Sequence, residues 1–339
     1  MKRRHSFITA LTLAAVALVS LIVHISVGGT PIAPGDVFTT LLGQAPDQRT
    51  ALTIWEFRLP RSIAAVCAGI GLGVAGALTQ TVARNPLASP DILGITNGAA
   101  AGAVALMAFT SQVSGLPAGL SVYGLPIAAT LGGLLAAGAV FALVWHTSLE
   151  SSRLVLVGMG ISGLCAALTS WMLTLGEVTN AQQALTWMAG TVNGASWEDL
   201  GGMPIVILGM ALLGGLMRNQ REVLALDSDT ARGLGVHLSR DRLIVLGVAT
   251  ILAIAATVIA GPLAFVALAS GHAARMLART TIPPVLHSAL VGAIFVLLAD
   301  LIAARTFSVV LPAGVATAVI GAPYLIYLVL NRSRVRVKA

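Results

Sequence analysis

The stretch from Arg58 to Gly102 reads RLPRSIAAVCAGIGLGVAGALTQTVARNPLASPDILGITNGAAAG. Residues 62–83 carry no charge and are mostly Ala, Gly and branched aliphatics, with Arg61 and Arg84 at either end. A helix that crosses a bilayer needs about 20 apolar residues, and this run supplies them. Pro86 and Pro90 then force a sharp turn, and Asp91 is placed to N-cap the next apolar run, 92–110. The stretch therefore reads as two spanning helices joined by a rigid elbow.

The rest of the chain follows the same pattern. Of its 339 residues 57% are apolar and only 10% charged, with a mean hydropathy of +0.91. A soluble domain carries about 25% charged residues, so a soluble enzyme is excluded. Disorder is excluded too, because it requires few apolar residues and many charges. Runs bounded by charge, proline or turn residues predict spans at 7–27, 62–82, 92–110, 122–145, 154–175, 201–217, 243–260, 262–275, 285–304 and 310–330. The eighth is the weakest, being short and holding Ser270, Gly271 and His272. Lys2-Arg3-Arg4 before the first run resembles a secretion signal, but no A-x-A site follows, so the run reads as a retained span. The fold expected is an all-α polytopic membrane protein, one domain over 1–339, with both termini cytoplasmic.

Charge orients it. With the amino terminus inside, 16 of the 20 Lys and Arg fall on the cytoplasmic side, and only Arg49, Arg58, Arg61 and Arg305 fall outside. This placement beside spans, and not in one basic face, argues against nucleic acid despite the net charge of +7. The longest cytoplasmic connection, 218–242, holds five arginines and Glu222, Asp227, Asp229 and Asp241. Within it EVLALDSDTARGLGV, 222–236, reads as a short amphipathic helix capped near Asp227 or Ser228, either a surface for a cytosolic partner or a merely solvated loop. Trp55, Trp187 and Trp197 in the outer connections suit the lipid interface.

Several chemistries are missing. G-x-G-x-x-G occurs at Gly71-Gly73-Gly76 and Gly158-Gly160-Gly163, but both lie inside apolar spans, where small residues serve helix packing. Gly69 and Gly73 add a G-x-x-x-G pair. The only lysines, Lys2 and Lys338, follow no glycine-rich loop, so a P-loop ATPase site is excluded. The six histidines show no metal-ligand spacing, and Cys67 and Cys165 sit in apolar runs as packing residues. No cofactor is expected on this chain. Asp300 is the one deep acid, and Arg305 lies close enough in sequence to neutralise it. Arg58, Arg61 and Arg305 run against the charge rule; they read either as lipid contacts or as a docking site for an acidic partner.

The 58–102 run strongly resembles the FecCD-type permeases, the membrane subunits of ABC importers for iron–siderophores, haem and cobalamin. The resemblance continues through DSDTARGLGV (227–236), GPLAFVALASGHAAR (261–275), ADLIAAR (299–305) and LPAGVATAVIGAPYLIYLV (311–329). It implies a type II importer permease with ten spans in the cytoplasmic (inner) membrane, paired with a second permease subunit, a heterodimer being favoured over a homodimer. Two cytosolic ATPase subunits would use ATP, and an extracytoplasmic substrate-binding protein would deliver an iron–siderophore complex. Haem or cobalamin cargo is the alternative, and an ion-coupled secondary transporter a more distant one.

By the same resemblance Arg58, Arg61 and Arg305 would dock the binding protein. Asp229, Ala231, Leu234 and Gly235 would couple to the ATPase, and Asn85, Leu87, Ser151 and Ser152 would line the cytoplasmic gate. One departure stands out: the family usually has V-P-H-I-A-R where this chain has Ser270-Gly271-His272-Ala273-Ala274-Arg275. Glycine keeps local flexibility but loses the fixed φ of proline, which affects the shape of span eight.

Overall fold

The computed structural model describes residues 2–110, 118–144, 151–175, 178–226, 228–233, 238–306 and 309–336. Among them the regular structure is entirely helical. The first half contains α1 (Lys2–Ser26), α2 (Pro34–Leu41), α3 (Gln48–Leu52), a π-helical turn (Thr53–Arg58) and α4 (Leu59–Ala83). A 3₁₀ turn (Pro90–Leu93), α5 (Ile95–Thr110), α6 (Ala118–Val144) and α7 (Ser151–Leu175) follow. The second half contains α8 (Val178–Met188), α9 (Trp197–Leu200), α10 (Met203–Leu216), α11 (Arg218–Leu224), α12 (Ser228–Gly233), α13 (Leu238–Ala260), α14 (Val266–Ala278), α15 (Val285–Arg305) and α16 (Ala313–Arg336).

Each of the ten predicted spans coincides with a helix: α1, α4, α5, α6, α7, α10, α13, α14, α15 and α16. Six helices are long and apolar enough to cross a membrane alone. Among the described residues α10 and α11 pass the same test only when taken together, across a 61° bend, and α5 and α16 contribute shorter apolar stretches. Helix α8 was not expected, because residues 176–200 read as a plain outer connection; Val178, Ala181, Ala184 and Leu185 carry too few apolar neighbours to look like a span.

Helix α4 is the centre of the bundle. Every residue from Gly71 to Ala83 is buried, and α13, α14 and α15 pack around it. Water exclusion supplies little between helices in lipid, so close backbone approach has to. The predicted glycines of α4 provide it. A β-carbon at Gly73 would land on the carbonyl oxygen of Ser288 in α15, and one at Gly76 on that of Ala267 in α14. The same device joins α5 to α6, where Gly98 and Gly102 face Gly132. The second predicted glycine motif behaves differently: Gly160 and Gly163 on α7 have nothing within reach of a β-carbon. Packing within the chain is thus confirmed for the first motif, and in the second only for Gly158, which is buried with its carbonyl 3.4 Å from a β-carbon built at Gly94.

Some buried hydroxyls bond along their own helices, whereas those of Thr250 and Ser270 have no hydrogen-bond partner among the described residues. Thr79, Thr81 and Thr257 each donate to the carbonyl four residues back, at 2.7–2.8 Å, so these three hydroxyls are satisfied within their own helices. Outside the spans, Asp47 caps α3. Its carboxylate takes the Thr50 backbone N–H at 2.8 Å, and that bond holds the carboxyl below its ordinary pKa.

The weak eighth span is short for a visible reason. Gly261 (φ +66°) and Phe265 (φ +64°) both take left-handed backbone, breaking the chain between α13 and α14. Only 13 residues remain for α14, and its Ser270, Gly271 and His272 are buried. The elbow after α4 also differs from expectation. Asp91 accepts the hydroxyls of Ser89 and Thr96 in place of capping a helix, and Gly94 (φ +71°) ends the 3₁₀ turn before α5 begins.

The two ends of the bundle have different chemistry. At one end His5 meets the Leu277 carbonyl, His287 meets that of Ser6, Arg84 donates to Leu224 and Arg221 to Pro283. This is the end that the charge distribution assigns to the cytosol. At the opposite end Trp197 Nε1 donates to the Trp55 carbonyl at 2.8 Å, tying α9 to the π-helical turn.

Candidate functional site

The outer end holds a cavity of about 390 Å³ lined by residues from four separate segments. Helix α1 contributes His24, and the π-helical turn with the first turn of α4 contributes Glu56, Arg58 and Arg61. The loop before α9 contributes Asn193, and α15 contributes Asp300 and Arg305. The three arginines expected to dock a partner therefore converge, although Arg305 lies far from the others in sequence. The wider π-helical turn runs straight into Pro60 and α4, and such turns concentrate at functional positions.

The three arginines differ in what they already hold. Arg58 is turned back onto the end of α1. Its Nη1 donates to the carbonyls of Ile25 and Ser26 at 2.7 and 2.8 Å, and its Nη2 donates to Thr30. A cation here satisfies carbonyls that the helix end leaves open and faces the negative pole of α1. Arg61 forms a side-on fork with Asp300, Nε to Oδ2 at 2.8 Å and Nη2 to Oδ1 at 3.0 Å, while Nη1 donates to Asn193 Oδ1 at 2.8 Å. Arg305 is exposed and makes no hydrogen bond or ion pair among the described residues. It is the uncommitted cation of the group.

Asp300 is 1% exposed, and its charge is paired with Arg61, not with the nearby Arg305, while His24 bonds the same carboxylate. His24 Nε2 lies 2.8 Å from Asp300 Oδ2, and His24 Nδ1 lies 2.8 Å from Ser62 Oγ. A buried carboxylate with both oxygens engaged supports the structural role over the ion-coupling one. Sequence reading missed His24 and Asn193. The available signal was His24 itself, a polar ring near the outer end of an apolar run, which in lipid requires a partner.

The cytoplasmic residues are only partly brought together. Leu87 follows an Asx turn, in which its backbone N–H donates to Asn85 Oδ1 at 3.0 Å. Leu87 lines a largely apolar cavity of about 850 Å³ together with Asp91, Thr96, Asn97, Leu263 and Phe265. Asn85 faces a different cavity, of about 150 Å³, with Gln80, Arg84 and Arg275. Ser151 and Ser152 form the first turn of α7, and their side chains lie outside the described residues.

Among the coupling residues Ala231 is fully buried and Asp229 stands in α12, which begins at Ser228, while Asp227, one of the two capping candidates, lies outside the described residues. The 222–236 segment is not one helix, because α11 ends at Leu224. Leu234 and Gly235 lie outside the described residues.

Comparison with known proteins gives a consistent result. The chain matches the model of the FecCD transport family over residues 16–331. It is 35% identical to the ferric enterobactin transport system permease protein FepG of Escherichia coli (strain K12), covering 98% of each chain. It is 37% identical to the achromobactin transport system permease protein CbrC of Dickeya dadantii (strain 3937), covering 93% of this chain and 89% of that one. Among solved structures, a metal-chelate type ABC transporter in an inward-facing conformation superposes with a TM-score of 0.82 at 27% identity. That match covers 95% of this chain and 98% of the other.

Proposed function

Because the chain belongs to the FecCD transport family, we propose that it is the membrane permease subunit of an ABC importer that carries an iron–siderophore complex inward. The observation that carries this reading is the match of nearly the whole chain, in sequence and in helix arrangement, to permeases named for ferric enterobactin, achromobactin and metal chelates. Haem and cobalamin are the alternative cargoes. The chain is a multi-pass membrane protein, and we place it in the cytoplasmic membrane with the 218–242 connection inside.

The chain has no P-loop lysine, so ATP is bound and hydrolysed on two partner ATPase subunits, and this chain carries no cofactor. Their motion enters through α11, α12 and the residues that join them to α13. Arg84 and Arg221 link that region to α4 and to the loop before α15 by hydrogen bonds to the Leu224 and Pro283 carbonyls. Movement of the coupling segment is thereby passed to the buried central helix. A ferric siderophore is too large for a filter within one chain. The 850 Å³ apolar face, with Leu87 at its margin, is one wall of a pathway completed by a second permease subunit, here favoured as a different gene product. An apolar wall with few polar groups releases a bulky polar cargo and does not trap it. At the outer end Arg58, Arg61 and Arg305 receive acidic side chains of the substrate-binding protein.

Reconstitution of this chain with its partner permease, ATPase and binding protein in proteoliposomes tests the reading directly. Uptake of a labelled ferric siderophore should require internal ATP and the binding protein. Uptake by this chain alone, driven by an ion gradient, would overturn it.

A further inference from the structure

A guanidinium has five N–H donors. Arg61 spends two on Asp300 and one on Asn193 among the described residues, which leaves two on its terminal nitrogens for anything entering the outer cavity. Its acceptors differ in mobility. Asp300 is buried and further fixed by His24, whose other ring nitrogen meets Ser62, the residue next to Arg61. Helices α1, α4 and α15 thus close a ring of polar contacts around one carboxylate. Asn193 is exposed, on the loop before α9.

We propose that Asp300 is a positioning residue for docking: together with Asn193 it fixes which edge of Arg61 faces an acidic side chain of the binding protein, beside Arg305, the cavity cation that makes no bond among the described residues. This rests on the docking reading above and deepens it. The incoming carboxylate meets Arg305 and the two remaining Arg61 donors, which Asp300 and Asn193 hold towards the cavity. Docking strength is then set by which edge of Arg61 is held open as well as by net charge. A second internal carboxylate at position 193 would close off the remaining edge.

The test uses the assembled importer in nanodiscs, with its purified substrate-binding protein as the probe, and records affinity and melting temperature together. Asn193→Asp lies on the surface, so melting should not change while affinity falls about tenfold. That loss should disappear in an Arg61→Ala background, since the added carboxylate then has no guanidinium to occupy. Asp300→Asn should weaken docking as much as Arg61→Ala, with no further loss when the two are combined, whereas Arg305→Ala should add to either. A merely structural role for Asp300 would lower the melting temperature without producing this non-additivity. Wild-type affinity for Asn193→Asp, or an equal loss with and without Arg61, overturns the inference while leaving the docking reading in place. Failure of the wild-type complex to bind the protein, or indifference to all three arginine substitutions, removes the docking reading and this inference with it.

Discussion

Gly69 on α4 and Gly292 on α15 face each other so closely that a β-carbon on either would overlap the carbonyl oxygen of the other. The contact is backbone to backbone, and no flexible side chain is there to yield. It sets the distance between the central helix and the helix that carries Asp300 and Arg305, so the geometry of the outer cavity depends on it.

Gly69→Ala and Gly292→Ala should each destabilise the purified protein by about 1–3 kcal/mol, the usual cost of forcing atoms into a filled contact. Gly138, in α6, has open space around it, and Gly138→Ala should be neutral or slightly stabilising from helix propensity alone. Thermal unfolding in detergent, read by size-exclusion chromatography, distinguishes the two outcomes. Equal shifts at all three positions would contradict the packing account.

Arg58 and Arg305 should separate stability from docking. Arg58→Ala removes the cation that closes the end of α1 and should cost about 2 kcal/mol of stability. Arg305→Ala breaks no contact among the described residues and should leave unfolding unchanged while weakening binding-protein affinity about tenfold, more at low salt than at high. A melting series and an affinity measurement at two ionic strengths check both.

Asp300→Ala should be among the most damaging single substitutions, at about 3–5 kcal/mol, because it leaves the Arg61 guanidinium and the His24 ring without their shared partner. Asp300→Ala with Arg61→Ala should cost clearly less than the sum of the two. A double-mutant cycle on thermal unfolding measures the coupling, and additive losses would refute the pairing.

Gln80 and Gly271 form a coupled pair in the core. Gln80 Nε2 donates to the Leu268 carbonyl at 3.0 Å, and its Oε1, which is without a partner, would lie 2.6 Å from a β-carbon at position 271. Gly271→Ala should therefore displace the amide and destabilise by about 1–3 kcal/mol. Adding Gln80→Ala should recover most of that loss. The glycine in place of the family proline is thus matched to a buried glutamine, and a null effect of Gly271→Ala would remove this link.

Much of the architecture was legible in the sequence because lipid imposes one rule on every span. Backbone polar groups must be satisfied within the helix, so an uncharged run such as 62–83 has one fold available to it. Positive charge then orients the runs, and the order of motifs from Arg58 to Val329 identified the family. Helix α8 was not legible, because an 11-residue helix outside the apolar core has neither the length nor the hydropathy of a span. The packing role of Gly69 and Gly73 was legible from their spacing, whereas on α7 the motif shared with Gly71-Gly73-Gly76 packs only at Gly158 and leaves Gly160 and Gly163 open, since a glycine motif states that close approach is possible and not which neighbour makes it.

The sequence by itself determined that Arg58, Arg61 and Arg305 are anomalous outer cations and that Asp300 is a deep acid. Only the tertiary structure decided what each one holds. Proximity along the chain suggested Arg305 for Asp300, yet the partners are Arg61 and His24, 239 and 276 residues away. Helix direction explains this: Arg305 stands more than a turn beyond Asp300 at the exposed end of α15, while α4 and α1 present Arg61 and His24 to the buried face. Periodicity and charge fix which residues share a helix and an end of the bundle. The pairing of buried charges is fixed by which helix faces meet, and small residues far from the charges set that.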